Sequence, residues 1–419
     1  MSRLNLLLRC VFLAALCLLP ACAATTAEPR TSPSPGAVVQ PPAGIVRLTL
    51  WHSWSGAKLD ALNNLARSYE QSHPDVRISL ESKPASDMLR TYSLSVADGS
   101  APQILLMLGR YVGDLAERQY IAPLDDVFSA EDLAELLPQS VDSARFNDQL
   151  YAVPITFDTL TLFYDRRQIS TPPESFDQVL ELNAAQRSQP IEQRPLSLGY
   201  YLSLETTLPY LDAFGGAVFN QAGEPIFASQ SREATLRWLD WLKSLQLSQD
   251  TIVSSDFSAV DAAIQQGRVL SAIDWARRRP AYAQVWGPDG VGIAPLPRLN
   301  AEAVPRPLVL SEVLCINTVV SVEQRTVAQD FLRYMIAQSS QETLWSRGQM
   351  LPVHKQVAVA EELQPVLTSA SGAQPFTSKL AATTIWRPLN DMLRGVVTNT
   401  VSANEAIDSA GAALQTPTP

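Results

Sequence analysis

The chain is poor in histidine, cysteine and basic residues, and each shortage excludes a class of function. It has 3 His and 4 Cys in 419 residues. His52, His73 and His354 lie far apart, so no histidine-based metal motif is present, and we expect no metal or other cofactor. Lys and Arg number 32 against 42 Asp and Glu, a formal net charge of −10. An acidic chain is a poor candidate for nucleic-acid binding, because that affinity comes largely from cations on phosphates. The sequence also has no Gly-rich phosphate loop.

Three of the four cysteines lie in the first 22 residues, in a segment typical of a secretory signal. Two arginines precede an apolar stretch over residues 10–24, which is shorter than the ~20 residues that a bilayer-spanning helix needs. The stretch contains Leu-Pro-Ala-Cys at residues 19–22, which resembles the lipobox of bacterial lipoproteins. We predict a lipoprotein signal peptide over residues 1–22 with lipid on Cys22. Ordinary signal cleavage near Ala24, without lipid, is the alternative.

The segments at either end of the folded body are predicted to be irregular. Residues 23–44 are rich in Pro, Ser, Thr and Ala, have no helical or strand periodicity, and are expected to form a disordered tether. Residues 415–419 form a short tail. Beyond the signal, Cys315 is the one cysteine, so no internal disulfide can form. It lies in an apolar, strand-like run and is predicted to be a buried thiol.

The body between these segments alternates strand and helix patterns. Residues 46–50 alternate Val, Leu and Leu on one side, as in a strand. The next segment places Leu62, Leu65, Ala66 and Tyr69 on one helical face, with Ser55 as the N-cap. Repeated alternation of this kind predicts an α/β fold with a mainly parallel sheet flanked by helices. The length of the body suits two such lobes.

Six segments, taken in order, resemble the family 1 extracellular solute-binding proteins of bacterial ABC importers, the group that contains maltose-binding protein. They cover residues 48–78, 98–107, 146–169, 263–276, 328–357 and 385–410. The first carries the family's opening strand and helix, ending in His-Pro-Asp, and the third carries the stretch that crosses the hinge. Gln103 and Asp165 replace residues that are usually Asp and Asn in the family.

The resemblance implies a two-lobe periplasmic-binding-protein (Venus flytrap) fold, in which each lobe is a mixed, mainly parallel sheet flanked by helices. Lobe 1 would comprise residues 45–155 with about 314–355, and lobe 2 residues 156–313 with about 356–414. Hinge crossings would lie near residues 154–158 and 310–313. It further implies a monomeric, extracytoplasmic, lipid-anchored protein of the periplasm or cell surface. That protein would bind a sugar or oligosaccharide between the lobes and deliver it to the ABC permease in the membrane, without catalysis.

Side chains at strand ends are the candidate ligand contacts. An indole can lie flat on the C–H face of a pyranose ring, and a buried aromatic contributes about 150–250 Å². In open α/β sheets, ligands bind beyond the carboxyl ends of strands, where helix N-terminal amides are also free. This rule selects residues that follow two of the predicted strands: His52, Ser53, Trp54, Ser55, Arg110 and Tyr111. The resemblance adds Asp158 beyond the hinge crossing, Trp275 as a cleft aromatic and Trp386 as a stacking indole.

Other conspicuous residues have a simpler interpretation. Aromatic residues at helical spacing are predicted to be core: Trp238, Trp241, Phe331 and Trp345. The run Arg277 to Arg279 favours a solvated helix face paired with surface acids, because consecutive residues cannot all face one cleft. The alternative is an anionic ligand held by these guanidinium groups. Trp51, Tyr200 and Tyr201 are further candidates for the site.

Three functional alternatives stay open at this point. A lipid-anchored carbohydrate-active enzyme would need two carboxylates about 5–9.5 Å apart, and the sequence contains enough acids to supply a pair. A sensor subunit that reports to a membrane kinase would share the same fold. The ligand could also be an anionic solute, such as glycerol phosphate or a sugar acid.

Overall fold

The computed structural model describes residues 44–220, 223–375 and 383–415. The predicted signal peptide with Cys22, residues 23–43 of the tether and residues 416–419 of the tail lie outside the described residues. Within the described part, no helix combines the length and the apolar composition needed to cross a membrane.

The first part of the chain alternates strands and helices, as its periodicity predicts. These elements are β1 (Val46–His52), α1 (Gly56–Ser72), β2 (Val76–Ser82), α2 (Met88–Asp98) and β3 (Ile104–Leu108). Strand β1 pairs in parallel with both β2 and β3. Helix α1 begins after the N-cap Ser55 and buries the predicted apolar face, including Leu62, Leu65 and Tyr69. Shorter elements follow: α3 (Val112–Glu117), α4 (Ala130–Ala134), α5 (Pro138–Asp142), β4 (Arg145–Phe146) and β5 (Gln149–Leu150).

Two long strands, β6 (Val153–Asp165) and β11 (Leu308–Ile316), run antiparallel through the centre of the molecule. All 13 residues of β6 are buried. Strand β11 pairs with β3 on one side and with β6 on the other. The sheet order is β2-β1-β3-β11-β6-β9-β7-β8, so β6 and β11 connect two halves of one sheet. We call β1 to β3 the first half and the strands beyond β6 the second half.

The second half is built from the segment between β6 and β11. Its elements are α6 (Phe176–Leu180), β7 (Leu196–Tyr201), α7 (Leu204–Ala213), α8 (Arg232–Leu247), β8 (Thr251–Ser254), α9 (Phe257–Gln265), β9 (Val269–Trp275), α10 (Arg279–Trp286) and β10 (Val291–Ala294). Strand β7 pairs in parallel with β8 and β9, whereas β9 and β10 pair antiparallel with β6. The sheet is therefore mixed and mainly parallel within each half, as predicted.

The last elements return to both halves. They are α11 (Val322–Ile336), α12 (Gln338–Gly348), α13 (Gln364–Ser371), β12 (Gln374–Pro375), α14 (Thr383–Val397) and α15 (Ala403–Gln415). Helices α11 and α12 pack beside α1, whereas α14 and α15 pack against α8. Each half of the sheet thus receives helices from the end of the chain.

The interior confirms most of the predicted core residues. Trp238 and Phe331 are buried, and Trp241 is partly buried against the same apolar cluster as Trp238. Cys315 is also buried, where its thiol contacts the Leu105 carbonyl oxygen at 3.6 Å. Burial raises the pKa of that thiol well above its usual range, so it is a packing group rather than a nucleophile.

Candidate ligand-binding cavity

A cavity of about 610 Å³ lies where the two halves of the sheet meet. The shared strands β6 and β11 contribute Thr156, Phe157, Asp158, Leu310 and Glu312 to its lining. The first half adds Lys58 from α1, Leu108 at the end of β3, and the C-terminal turn of α12 with the segment after it. The second half adds the corner between β9 and α10. The cavity therefore lies beyond the carboxyl ends of β3 and β9, where ligand sites of open α/β sheets are found.

Charged residues in the lining form ion pairs with one another. Lys58 Nζ lies 3.0 Å from Glu312 Oε2 at the first-half side. Arg277 Nη1 lies 2.5 Å from Asp158 Oδ2, and Arg279 Nη2 lies 2.6 Å from Glu362 Oε1. Among the described residues, each lining cation thus has a lining carboxylate as its partner. The charges of the six residues cancel, and their polar atoms still border the cavity.

Asp158 is the most buried of these carboxylates, with 7% of its surface exposed. Its carboxylate accepts hydrogen bonds from the Thr159 and Arg277 backbone N–H groups at 3.0 and 3.2 Å. The removal of water around it raises the pKa of Asp158 from 3.8 to about 6, although Arg277 acts in the opposite direction. This carboxylate can therefore gain or lose a proton near neutral pH without leaving the cavity wall.

The three consecutive arginines have separate partners at the β9–α10 corner. Arg277 and Arg279 line the cavity. Arg278 instead pairs with Asp261 and, at 3.1 Å, with Asp274. Arg279 is partly exposed and pairs with the exposed Glu362, as predicted for a solvated face. Arg277 is also exposed, but it pairs with the buried Asp158, and both arginines border the cavity.

Two of the predicted indoles, Trp54 and Trp275, do not line the cavity but contact residues that do. Trp54 is 3% exposed, and its Nε1–H donates to Glu312 Oε1 at 2.7 Å. Trp275 is 6% exposed, and its ring lies 5.1 Å from the guanidinium carbon of Arg277. Neither ring lines the cavity, although each contacts a charged residue that does. Both sit in the apolar core beside their strand ends.

Within the part of the chain that the structure describes, the aromatic residues that line the cavity are Trp345 and Phe157. Trp345 is half-buried, packs against the apolar core as predicted, and also borders the cavity. The buried residues of α12 are Ser340, Gln341, Leu344 and Gly348, at three-to-four spacing. Trp345 lies four residues after Gln341 and three before Gly348, at the edge of that stripe, so part of its ring stays accessible.

The other predicted contacts are dispersed around the site. His52 is buried, and its Nδ1 accepts from the Trp54 backbone N–H at 3.1 Å, whereas Ser53 and Ser55 are exposed. Trp386 is partly buried on α14, against the core of the second half. All nine predicted ligand contacts are among the described residues. One of them, Asp158, lines the cavity, and the other eight do not.

Arg110 and Tyr111 follow β3 but lie outside the cavity lining. Arg110 Nη1 donates to Glu205 Oε1 at 2.7 Å, and Nη2 donates to the Tyr111 hydroxyl at 3.0 Å. Glu205 belongs to the first turn of α7 in the second half. This ion pair therefore joins the two halves at a place separate from the cavity.

Comparison with known proteins gives a consistent result. The maltotriose-binding protein of Pyrococcus abyssi is 25% identical over 139 residues, covering 33% of this chain and 30% of that protein. The maltodextrin-binding protein MdxE of Bacillus subtilis is 20% identical over 253 residues, 57% of either chain. Both alignments span less than two thirds of the relative.

No group of His, Cys, Asp and Glu in the described residues is arranged to hold a metal ion.

The fold is shared with solved structures over most of the chain. The GacH receptor of Streptomyces glaucescens, solved unliganded and with acarbose, matches with a TM-score of 0.74 and 20% identity. The match covers 88% of this chain and 97% of the receptor, which confirms the expected periplasmic-binding-protein fold. The family model described as bacterial extracellular solute-binding protein matches residues 64–369. The chain therefore belongs to the bacterial extracellular solute-binding protein family.

Proposed function

We propose that this protein is the solute-binding subunit of an ABC importer and captures a neutral sugar or oligosaccharide in the cavity between its halves. The observation that carries the proposal is the lining of the cavity. It combines an accessible indole, Trp345, with three ion pairs whose members all belong to the lining. Names of relatives support the same class of ligand, since they mention maltotriose, maltodextrin and acarbose.

The cavity has the size and the chemistry for a sugar. Its volume of about 610 Å³ falls within the ~300–1,000 Å³ of small-molecule sites. Trp345 and Phe157 offer apolar faces to C–H groups, and burying about 100 Å² there contributes about 2.5 kcal/mol. Carboxylates and guanidinium groups around them can accept from and donate to hydroxyls in charge-assisted hydrogen bonds.

The pairing of charges favours a neutral ligand over an anionic one. An anion would have to compete with Asp158, Glu312 or Glu362 for cations that these carboxylates already contact. A hydroxyl can instead bond to both members of a pair, because it donates and accepts. A sugar acid or glycerol phosphate is therefore the second candidate, favoured only by the presence of Arg277 and Arg279 in the lining.

Capture would work by closure of two lobes around the shared strands. We propose lobe 1 as residues 45–155 with 314–355, and lobe 2 as residues 156–313 with 356–414. The packing of α11 and α12 beside α1, and of α14 and α15 against α8, supports this division. Hinge bending would then occur at residues 154–158 of β6 and 310–313 of β11, which line or border the cavity.

The protein would act outside the cytoplasm as a monomer, anchored by lipid on Cys22, and would dock on permease subunits in the membrane. The lipobox-like residues 19–22 support the anchor. Substitution Cys22→Ala should release the protein from the membrane fraction of cells, where the unaltered chain should stay. Equal membrane retention of both would contradict lipid anchoring.

The ligand is tested by calorimetry with maltose, maltotriose, longer maltodextrins and glycerol phosphate. Binding of at least one neutral sugar is expected. Trp345→Ala should weaken it by ~2 kcal/mol or more, as expected of a stacking hot spot, and Trp345→Phe should weaken it less because a ring is kept. Binding of glycerol phosphate alone would overturn the neutral ligand. New reducing ends after incubation with the sugars would overturn the binding role in favour of a hydrolase.

A further inference from the structure

Gln349 adopts a backbone conformation that is unusual for its residue type. It caps the C-terminus of α12 in the left-handed region, with φ 53° and ψ 34°. Its N–H donates to the Trp345 carbonyl oxygen at 3.0 Å, which ends the helix. Glycine commonly occupies this position, since a Cβ disfavours left-handed backbone. The helix therefore ends with a conformational cost that glycine would avoid.

A glycine is present, but it lies one residue earlier. A Cβ on Gly348 would lie 3.3 Å from the Ala61 Cβ of α1 and 2.5 Å from the Met350 Cε. Close packing of α12 against α1 thus explains Gly348, and its φ is not in the left-handed region. Packing gives no comparable reason for glutamine at the next position, because Gln349 is exposed.

Gln349 borders the cavity in which a ligand would lie. It lines the cavity together with Trp345, Ser346 and Met350. Its side-chain amide has no hydrogen-bond partner among the described residues, so the group is not used to hold the fold. A primary amide presents two donors and an acceptor, which matches the mixed character of sugar hydroxyls.

We propose that Gln349 is a ligand-recognition residue, whose amide bonds the hydroxyls of a solute that stacks on Trp345. Left-handed backbone is retained because it directs this amide into the cavity from the end of the helix that carries the indole. The inference rests on the proposed function and names the side chain that forms hydrogen bonds to the hydroxyl groups of the sugar. A solute that lacks hydroxyls next to the stacked ring should lose this contact.

The chain offers a matched control for this test. Gln119 also follows a helix, has φ 58°, is exposed and lies outside the cavity lining. Variants Gln349→Gly and Gln119→Gly both remove a glutamine side chain and relieve left-handed backbone. Each should keep the unfolding temperature of the original protein or raise it. Gln349→Asn is a third variant, because asparagine tolerates left-handed backbone and keeps a shorter amide.

Calorimetric titration with the tightest sugar found for the unaltered protein gives the decisive result. Gln349→Gly should weaken binding about tenfold, Gln349→Asn by less, and Gln119→Gly not at all. Unchanged affinity of a folded Gln349→Gly variant would overturn the recognition role while leaving sugar binding intact. Equal weakening by Gln119→Gly would overturn it as well, because loss of a glutamine outside the cavity lining would then reduce sugar affinity just as much. Absence of sugar binding by the unaltered protein would instead overturn the proposed function.

Discussion

A buried carboxylate in the middle of a central strand is costly, and Asp158 is such a group. Water is almost excluded from it, and its hydrogen bonds come from Arg277 and from backbone N–H groups. An ionised carboxylate at this place is tolerated because a guanidinium lies 2.5 Å away. The same surroundings raise the pKa of Asp158 to about 6, chiefly through burial.

The free energy of unfolding should therefore depend on pH through Asp158. Its pKa is about 6 when folded and near 3.8 when unfolded, so the folded state binds the extra proton between these values. The contribution of Asp158 to stability is fully present below pH ~4 and is lost as the pH rises through 6. The loss is about 2–3 kcal/mol at 1.36 kcal/mol per pKa unit.

Comparison with Asp158→Asn isolates this effect, since every other titrating group is shared. Denaturant unfolding at pH 4.5 and pH 7.5 measures the difference in free energy of unfolding between the two proteins. That difference should shift in favour of the Asn variant as the pH rises. A difference that is the same at both pH values would show that Asp158 titrates normally.

The strand-end rule points to the edge of the sheet beside which the cavity lies, but not to the side chains that line it. It selected Trp54, and the resemblance selected Trp275, yet both indoles pack inward and contact Glu312 and Arg277 instead. Whether the last side chain of a strand faces the core or the cleft depends on how neighbouring strands twist and pair, which local periodicity does not encode. Trp345 lies at the edge of the buried stripe of α12, so its spacing predicted a core residue and gave no sign of the cavity.

At the scale of elements, strands that alternate apolar and polar residues, and helices with one apolar face, were predictable from sequence, as β1 and α1 show. The continuous burial of β6 was also indicated by its long apolar run, although Thr156, Thr159 and Thr161 interrupt it. Their hydroxyls donate to carbonyl oxygens of other segments at 2.7–3.0 Å. The strand therefore buries these hydroxyls without leaving them unsatisfied. The antiparallel pairing of β6 with β11 joins segments about 150 residues apart, which only tertiary structure decides.

The pairing of β10 with β6 depends on Gly292. It lies opposite Tyr164, and a Cβ there would come within 2.2 Å of the tyrosine ring. Tyr164 is buried, so its ring has little space to move away. Gly292→Ala should lower the free energy of unfolding by about 1–3 kcal/mol through overpacking.

Gly199 of β7 provides the comparison for that variant. A Cβ at Gly199 would meet its nearest atoms at 3.5 Å, an ordinary contact. Gly199→Ala should therefore leave the free energy of unfolding unchanged or raise it by up to about 1 kcal/mol, because alanine restricts the unfolded chain. Urea unfolding of both variants tests the contrast. Equal destabilisation by the two substitutions would show that crowding by Tyr164 is not the cause.

At the scale of the whole molecule, the two halves are joined by the shared strands and by side-chain contacts that can break. The pair between Arg110 and Glu205 is such a contact, since β3 and α7 belong to different halves. About a quarter of each side chain is exposed, so the pair is partly shielded from solvent. In a protein that closes over its ligand, a contact of this kind stabilises the closed form relative to an open one.

Substitution Glu205→Gln should therefore accelerate release of a bound sugar. The variant keeps the length of the side chain and removes the charge, at a cost of about 1 kcal/mol, or ~5-fold in the dissociation rate. Glu233 is the matched control, because it also lies in the first turn of a helix and pairs with Arg237, at 2.8 Å within α8. Stopped-flow Trp fluorescence measures dissociation directly. Faster release by Glu205→Gln but not by Glu233→Gln is expected, since only the former pair spans the two halves, and equal rates would show that the Arg110 contact does not hold the protein closed.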